Sequence, residues 1–440
     1  MKTILLLSAI LFLTQVTFCQ SNFIKHPTNP ILPRTPVFGE WDAIAASDPH
    51  VLYHNDTLRM WYTGVGWLST SDTTVNQRIG YAWSLDGISW NQYVNNPVLD
   101  KTDNAWDDLG VETSTVIIDS TSSPNERYKM WYAGQNSISG NYDIGYAYSP
   151  DGLNWIKSNA NPVLQVGASS TWENGYLEGP SVLLHNDTLR MWYASVDLVG
   201  DASPTDFTGN IGYAWSIDGA NWNKHVNNPV FTSYNSPGWD KASVADPHVI
   251  IKDNQYHMFY AGLHSWSFEN FKMGYATSYD GINWTRPVLN PVLETGNDGE
   301  WDDEDASYAC VIFDANANQF QMWYTGLDTN NLPSDINGYY YEIGYATSDV
   351  SLAISENTFL LNELSLFPNP CENSLTLALE NSTNLNKIRL FDARGRIIDI
   401  PFSRDKSQII LQTEHLMKGF YFIEVTFHDS KKYNGKFYKL

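Results

Sequence analysis

Short runs of apolar and aromatic residues, separated by Gly, Pro, Asn or Asp, recur along most of the chain. One kind begins at Val51, Val116, Val182, Val249 and Val311. A second reads Met-aromatic-Tyr: Met60-Trp61-Tyr62, Met130-Trp131-Tyr132, Met191-Trp192-Tyr193, Met258-Phe259-Tyr260 and Met322-Trp323-Tyr324. A third, Gly-Tyr-Ala, begins at Gly80, Gly145, Gly212, Gly274 and Gly344. A fourth, Asn-Pro-Val-Leu or close to it, begins at Asn96, Asn161, Asn228 and Asn290. Short runs rich in β-branched and aromatic side chains and bounded by turn formers predict strands. His54-Asn55-Asp56 and Asp86-Gly87 supply the expected tight turns.

These runs follow one another in a fixed order. Each series is preceded by a tryptophan and an acid, at Trp41-Asp42, Trp106-Asp107, Trp172-Glu173, Trp239-Asp240 and Trp301-Asp302, so the repeat is 62 to 67 residues long. Self-similarity at that period, with four strands per repeat, predicts a five-bladed β-propeller over residues 22–350. The fifth repeat lacks its fourth run, and Asn29-Pro30-Ile31-Leu32 at the other end of the chain can supply it. Closure of that kind removes an exposed sheet edge. The run Ser-x-Asp-Gly-x-x-Trp, first seen from Ser84 to Trp90, is similar to the Asp-box of sialidases but one residue shorter. It reads as a turn with a packed tryptophan, and the Trp-acid pairs read as core.

Composition narrows the function. The 440 residues carry a formal net charge of -23, which disfavours nucleic acid and anionic membrane surfaces as partners. Aromatic residues make up 14% of the chain, which suits stacking on sugar rings and equally suits an aromatic β core. Residues 1–19 read as a signal peptide, because the apolar run from Ile4 to Leu13 is too short to span a bilayer. No other segment is apolar enough to cross one. Cys310 and Cys371 fall in different parts of the chain, so neither a disulfide framework nor a thiolate metal site is expected.

After Ser348-Asp349 the repeat stops. Residues 351–363 read as a linker and 364–440 as a small antiparallel, β-sandwich-like domain. Its ordered motifs, Leu366-Phe367-Pro368-Asn369-Pro370, Phe391-Asp392-Ala393-Arg394-Gly395-Arg396 and Lys418-Gly419-Phe420-Tyr421-Phe422, closely resemble the C-terminal sorting domain of type IX secretion substrates. The resemblance implies export by the type IX machinery of a Bacteroidetes-type bacterium, removal of the tail, and a secreted or cell-surface location.

In a four-stranded antiparallel blade the start of the first strand shares a face with the long, dissimilar loops, where function usually sits. Trp67, Trp266 and Tyr142 are off-repeat aromatics of those loops and are candidates for sugar contact. Aligned by the tryptophans, the first strands begin Ser47-Asp48-Pro49, Glu112-Thr113-Ser114, Glu178-Gly179-Pro180, Ala245-Asp246-Pro247 and Ser307-Tyr308-Ala309. Four of the five carry a carboxylate at one of two adjacent positions. Crowded carboxylates raise each other's pKa, a cost that function or a metal must offset.

A five-bladed propeller with Asp-Pro in the first inner strand and Glu-Gly-Pro in the third resembles glycoside hydrolase family 43, and more loosely families 32, 62 and 68. The resemblance implies an inverting glycosidase acting on plant or algal carbohydrate, with Asp48 as general base, Glu178 as general acid and Glu112 tuning the acid. Inversion needs that division of labour between carboxylates. Blade two departs from the family, with Glu-Thr-Ser where it has Asp-Pro, and Asp246-Pro247-His248 is a twin of Asp48-Pro49-His50. Asp246 is accordingly a candidate for substrate contact or catalysis. The same analogy implies that no cofactor is required, with a structural calcium on the axis near His248. A non-catalytic carbohydrate-binding or adhesion propeller is the competing expectation.

Overall fold

The computed structural model describes residues 23–69, 72–197, 208–233, 238–265, 270–287, 289–328, 340–349, 362–363, 365–378, 385–392, 397–404, 408–427 and 432–440. The signal-peptide expectation and most of the expected linker lie outside them. The chain divides into two compact units at residue 352. Both are β-structured. Among the described residues there is no α-helix, only one 3-10 turn at Pro124–Glu126.

Beside five two-residue strands among the described residues, fifteen longer strands make the body of the first unit. They form five antiparallel triples: β1 (Ala45–His54), β2 (Thr57–Ser69) and β3 (Asp72–Ser84); β4 (Gly110–Ile118), β5 (Tyr128–Gln135) and β6 (Tyr142–Ser149); β7 (Tyr176–His185), β8 (Thr188–Asp197) and β9 (Thr208–Ser216); β10 (Ser243–Lys252), β11 (Gln255–Leu263) and β12 (Lys272–Ser278); β13 (Asp305–Asp314), β14 (Gln319–Asp328) and β15 (Tyr340–Asp349). The first strands, β1, β4, β7, β10 and β13, pack each against the next, and β13 packs against β1. The sheets therefore curl into a closed, propeller-like ring.

The repeated motifs explain the ring. Trp61, Trp131, Trp192 and Trp323 of the middle strands are fully buried between neighbouring triples. Burying one such ring contributes roughly 4–6 kcal/mol of transfer free energy. Each indole N–H is satisfied by the turn glycine of the following triple: Trp61 Nε1 donates to Gly152 O at 2.8 Å, Trp131 to Gly219 O at 2.9 Å and Trp192 to Gly281 O at 2.7 Å. Trp323 of the last triple donates to Gly87 O of the first at 2.8 Å. The same bond thus passes from triple to triple and across the join.

The Asn-Pro asparagines tie the outer edge. Asn96, Asn161, Asn228 and Asn290 each accept a bond from the backbone N–H of the Gly-Tyr-Ala tyrosine in their own triple, at 2.8–2.9 Å. In the fifth triple Tyr345 N instead donates to Asn29 Oδ1 at 2.9 Å, and the short strand Ile24–Lys25 pairs with Ala346 and Thr347. The Asp-Gly runs are turns held by their own side chains. Asp86 Oδ1 accepts from Ile88 N and Ser89 N at 2.9 and 2.7 Å, which keeps its carboxyl at a low pKa of about 2.

The second unit holds two sheets. One contains Asn362–Glu363, Leu385–Asp392, Ile397–Ile398, Gly419–Phe427 and Lys432–Lys439; the other contains Ser365–Phe367, Ser374–Ala378, Phe402–Arg404 and Gln408–Gln412. Leu375, Leu377, Ile409 and Leu411 of one sheet and Leu390, Ile423, Val425 and Phe437 of the other share a single core. Asn362–Glu363, at the end of the expected linker, pairs with Tyr433 and Asn434. Both described cysteines, Cys310 and Cys371, are free and buried.

Candidate active site

Every first strand of the ring breaks register at the same place. The breaks fall between Ser47 and His50, Glu112 and Thr115, Glu178 and Ser181, Ala245 and His248, and Ser307 and Cys310. In each, one extra residue bulges from the ladder, and that residue is left-handed: Asp48 at φ 51°, Thr113 at 48°, Gly179 at 54°, Asp246 at 50° and Tyr308 at 42°. A β-branched or bulky residue in that region is strained, and such strain persists only where surrounding structure enforces it. Here the preceding triple enforces it. Asp48 N donates to Thr325 Oγ1 at 2.8 Å across the ring join, Thr113 N to Thr63 Oγ1 at 3.0 Å, and Gly179 N to Thr113 Oγ1 at 3.3 Å. The bulge also accommodates Pro49, Pro180 and Pro247, which have no N–H for a ladder.

The bulges turn the carboxylates of separate triples toward one another. A cavity of about 300 Å³ is lined by Asp48 and Glu112, with Tyr308 and Tyr341 on its wall. A second, of about 380 Å³, is lined by Glu178 and Asp246 and by the same two tyrosines. Tyr308 Oη reaches Glu178 Oε2 at 3.5 Å and also bonds the Asp246 carboxylate. Gly179 permits the close approach: a side chain there would meet Asp246 Cα at 3.2 Å, and its φ is positive. Glu112 accepts a bond from the Tyr142 hydroxyl, and Asp48 from Thr63 and Ser47.

Burial holds all four acids toward their neutral forms, and the charges of neighbouring carboxylates add to it at Glu112, Glu178 and Asp246. Asp48 is pushed up to about 6 by desolvation. Glu178 is pushed up to about 7 by desolvation and by the Asp48 charge. Glu112 and Asp246 are raised further by desolvation and then by the Glu178 and Asp48 charges. An acid that keeps its proton near neutrality beside one that has lost it is the pairing general acid–base catalysis requires.

Among the described residues, no lysine or arginine is one of the main charges acting on these four carboxylates. The ring's cations are held elsewhere. Lys25, Lys157, Lys224 and Arg286 pair with Asp302, Asp107, Glu173 and Asp240, the acids of the Trp-acid pairs. Arg34 lies 3.7 Å over the Tyr340 ring and donates to Ala43 O, and Arg78 donates to Trp67 O. The stretches 70–71, 198–207, 234–237, 266–269, 288 and 329–339 contain no Lys or Arg in sequence.

The remaining sequence expectations divide. Tyr142 joins the site through Glu112. Trp67 does not line either cavity; its ring packs 4.7 Å from Phe38 and reads as a loop anchor. Trp266 lies outside the described residues. His248 donates Nε2–H to Val311 O at 2.9 Å with Cys310 Sγ 3.8 Å away, and it lines the same small axial cavity as Asp48 and Asp246. A calcium ion held by His248 and its nitrogen and sulfur neighbours alone is a poor fit. Calcium takes six to eight oxygens, whereas the group within reach is two imidazoles and a thiol. Tyr308 is the site residue that residue type conceals. Its signal is positional, since it occupies the repeat position of Asp48 and Asp246.

Comparison with known proteins agrees with this architecture. Residues 365–439 match the secretion system C-terminal sorting domain. An uncharacterized protein of Mycobacterium tuberculosis is 25% identical over 255 residues, covering 57% of this chain and 73% of its own. A 1,2-beta-oligomannan phosphorylase of Thermoanaerobacter sp. is 26% identical over 125 residues, 28% of this chain and 41% of the relative. A solved glycoside hydrolase superposes with a TM-score of 0.58 at 18% identity, covering 75% of this chain and 92% of its own. A member of the GH130 mannoside phosphorylase and hydrolase family superposes at 0.53, with 15% identity and coverage of 76% and 95%. The first unit thus has the propeller-like fold of glycoside hydrolases. The tail is a type IX secretion sorting domain, which marks the chain for export to the cell surface or medium. No helix among the described residues is long and apolar enough to cross a membrane.

Proposed function

We propose that the five triples are the blades of one propeller and that the exported protein hydrolyses glycosidic bonds on its axis. Glu178 is the general acid, Asp48 the general base whose charge helps hold the Glu178 proton in place, and Glu112 a neighbouring acid kept toward its neutral form by burial and by both of them. Asp246 and Tyr142 contact the sugar. The observation that carries this reading is the set of four carboxylates on equivalent bulges, raised in pKa, with no described lysine or arginine among the main charges acting on them. The Asp48 and Glu178 cavities meet at Tyr308, so a glycosidic oxygen seated there lies between a base that can activate water and an acid that can protonate the leaving group. An inverting hydrolase uses such a pair, one carboxyl to activate water and the other to protonate the leaving group.

Hydrolysis is favoured over phosphorolysis by the same electrostatics. Inorganic phosphate is recognised by guanidinium or ammonium groups or by helix N-termini. Among the described residues the axis carries neither, which supports water as the acceptor. Phosphorolysis is the activity named for one relative; the acid-only axis separates this chain from it. The relatives bring β-1,2-mannosides onto the substrate panel beside arabinofuranosides, xylosides and fructosides of plant or algal origin.

The test is turnover of that panel by the purified protein and by Glu178→Gln and Asp48→Asn. Loss of 10²–10⁴-fold in each variant is expected for general acid and base roles. Activity that survives both substitutions refutes the assignment. Glycan binding without turnover in the unsubstituted protein makes it a binding propeller instead.

A further inference from the structure

Beside the bulges, around a small axial cavity that Asp48 and Asp246 also line, three blades bring together residues that no part of the proposed chemistry uses. His50 lies on β1, His248 on β10 and Cys310 on β13. A ring nitrogen of each histidine and Cys310 Sγ all lie within 4.8 Å of one another. The two imidazole centroids are 6.0 Å apart. His50 and Cys310 are buried and His248 is largely so.

We propose that these three side chains form a binding site for a thiophilic d¹⁰ cation, Zn²⁺ or Cu⁺, that fastens the ring where its two ends meet. Thiolate and imidazole are the donors such ions select, and they are poor donors for calcium. His50 donates Nε2–H to Val116 O at 2.8 Å and His248 donates Nε2–H to Val311 O at 2.9 Å. The His248 atom that lies 3.8 Å from Cys310 Sγ is this same Nε2, so ligation there exchanges the Val311 bond for a nitrogen–metal bond and moves the ring proton to Nδ1. Burial pushes the Cys310 thiol up to about 12, and the bond that Sγ accepts from Val51 N at 3.2 Å offsets this only in part, so the thiol keeps its proton until a metal displaces it.

The spacing is near what coordination requires. Zn–S and Zn–N bonds of about 2.3 and 2.1 Å at tetrahedral angles place ligand atoms roughly 3.4–3.6 Å apart. The His248–Cys310 pair is already at 3.8 Å, so small side-chain rotations about Cβ close the rest. An axial cavity of about 40 Å³, lined in part by both histidines, has room for a water as a fourth ligand. Binding exchanges the Cys310 S–H bond for a sulfur–metal bond and releases one proton to solvent. The ligands come from the first, fourth and fifth triples, so the ion would tie β13 and β10 to β1 across the join.

Cobalt(II) is the probe. The full-length reduced protein, stripped with chelator, is titrated with Co²⁺ under anaerobic conditions. One equivalent is expected, with the intense near-ultraviolet band of a thiolate–cobalt bond and the visible bands of tetrahedral geometry. Zn²⁺ should displace it and raise the thermal midpoint of the first unit. Competition with Cu⁺ under reducing conditions decides which ion is preferred. Cys310→Ser should abolish the charge-transfer band, and His248→Gln should reduce affinity at least tenfold. Absence of the band in the unsubstituted protein overturns the proposal without recourse to any variant. A band of full intensity in Cys310→Ser overturns it too, because it assigns the thiolate to Cys371.

Discussion

Glu178→Gln should make the protein more stable at alkaline pH while removing its activity. The folded protein holds the Glu178 carboxyl at about 7 against the ordinary glutamate value of 4.5, through burial and the Asp48 charge. A carboxyl raised in the folded state costs nothing below its unfolded pKa, where both states are protonated. As pH rises from about 4.5 toward 7, the unfolded chain ionises and the folded one does not, so stability falls with pH. The loss is complete above the folded pKa. A displacement of that size corresponds to about 3 kcal/mol at 1.36 kcal/mol per pH unit. Glu178 keeps an accessible edge on its cavity, which reduces the figure to about 2 kcal/mol. Glutamine preserves shape and can still accept the Tyr308 bond, so its gain should be of that order at pH 8 and near zero at pH 4. For a propeller-sized unit this is a thermal midpoint about 3 °C higher at pH 8. Calorimetry at the two pH values measures it. Equal midpoints at pH 8, or the same gain at pH 4, would refute the reasoning.

Three other outcomes follow from the same geometry. Turnover should decline above about pH 7 as the Glu178 proton is lost, and a kcat/KM profile that keeps rising past pH 8 contradicts the assignment of the acid. Added inorganic phosphate should neither accelerate cleavage nor yield a glycosyl phosphate, as read by phosphorus NMR of the products. Deleting residues 353–440 should leave a propeller that still unfolds cooperatively but no longer reaches the cell surface or medium, checked by calorimetry and cell fractionation.

The propeller-like character is legible in the sequence because each motif does one structural job five times. Met-aromatic-Tyr predicts a buried middle strand, and Trp61, Trp131, Trp192 and Trp323 are fully enclosed. The four carboxylates are legible too, because aligning the Trp-acid pairs puts them in register. What the sequence does not carry is the bulge. Strand patterning alternates side chains between faces, and nothing in Ser47-Asp48-Pro49 announces a left-handed aspartate. The bulge makes Tyr308 a partner of Glu178 and Asp246, although tyrosine at that position reads as a missing acid. The His50–His248–Cys310 group is hidden for another reason. Its members are distant in sequence and meet only when the ring closes. Cys310 read alone is a buried apolar residue, and His248 read alone suggests calcium, which its neighbours do not suit. Trp67 shows the limit of residue type: an aromatic on a long hairpin is read as a sugar platform, and it packs on Phe38 instead.

The most direct measurement is the leaving-group dependence of Glu178→Gln. Aryl glycosides of one sugar, with phenols of graded acidity, are compared between the unsubstituted protein, Glu178→Gln and Asp48→Asn. A general acid is dispensable when the departing phenol is acidic enough to leave without a proton. Glu178→Gln should therefore retain turnover of dinitrophenyl glycosides and lose it steeply as the phenol pKa rises, whereas Asp48→Asn should be impaired across the whole series. A Glu178→Gln protein whose losses are the same for every leaving group would contradict the account.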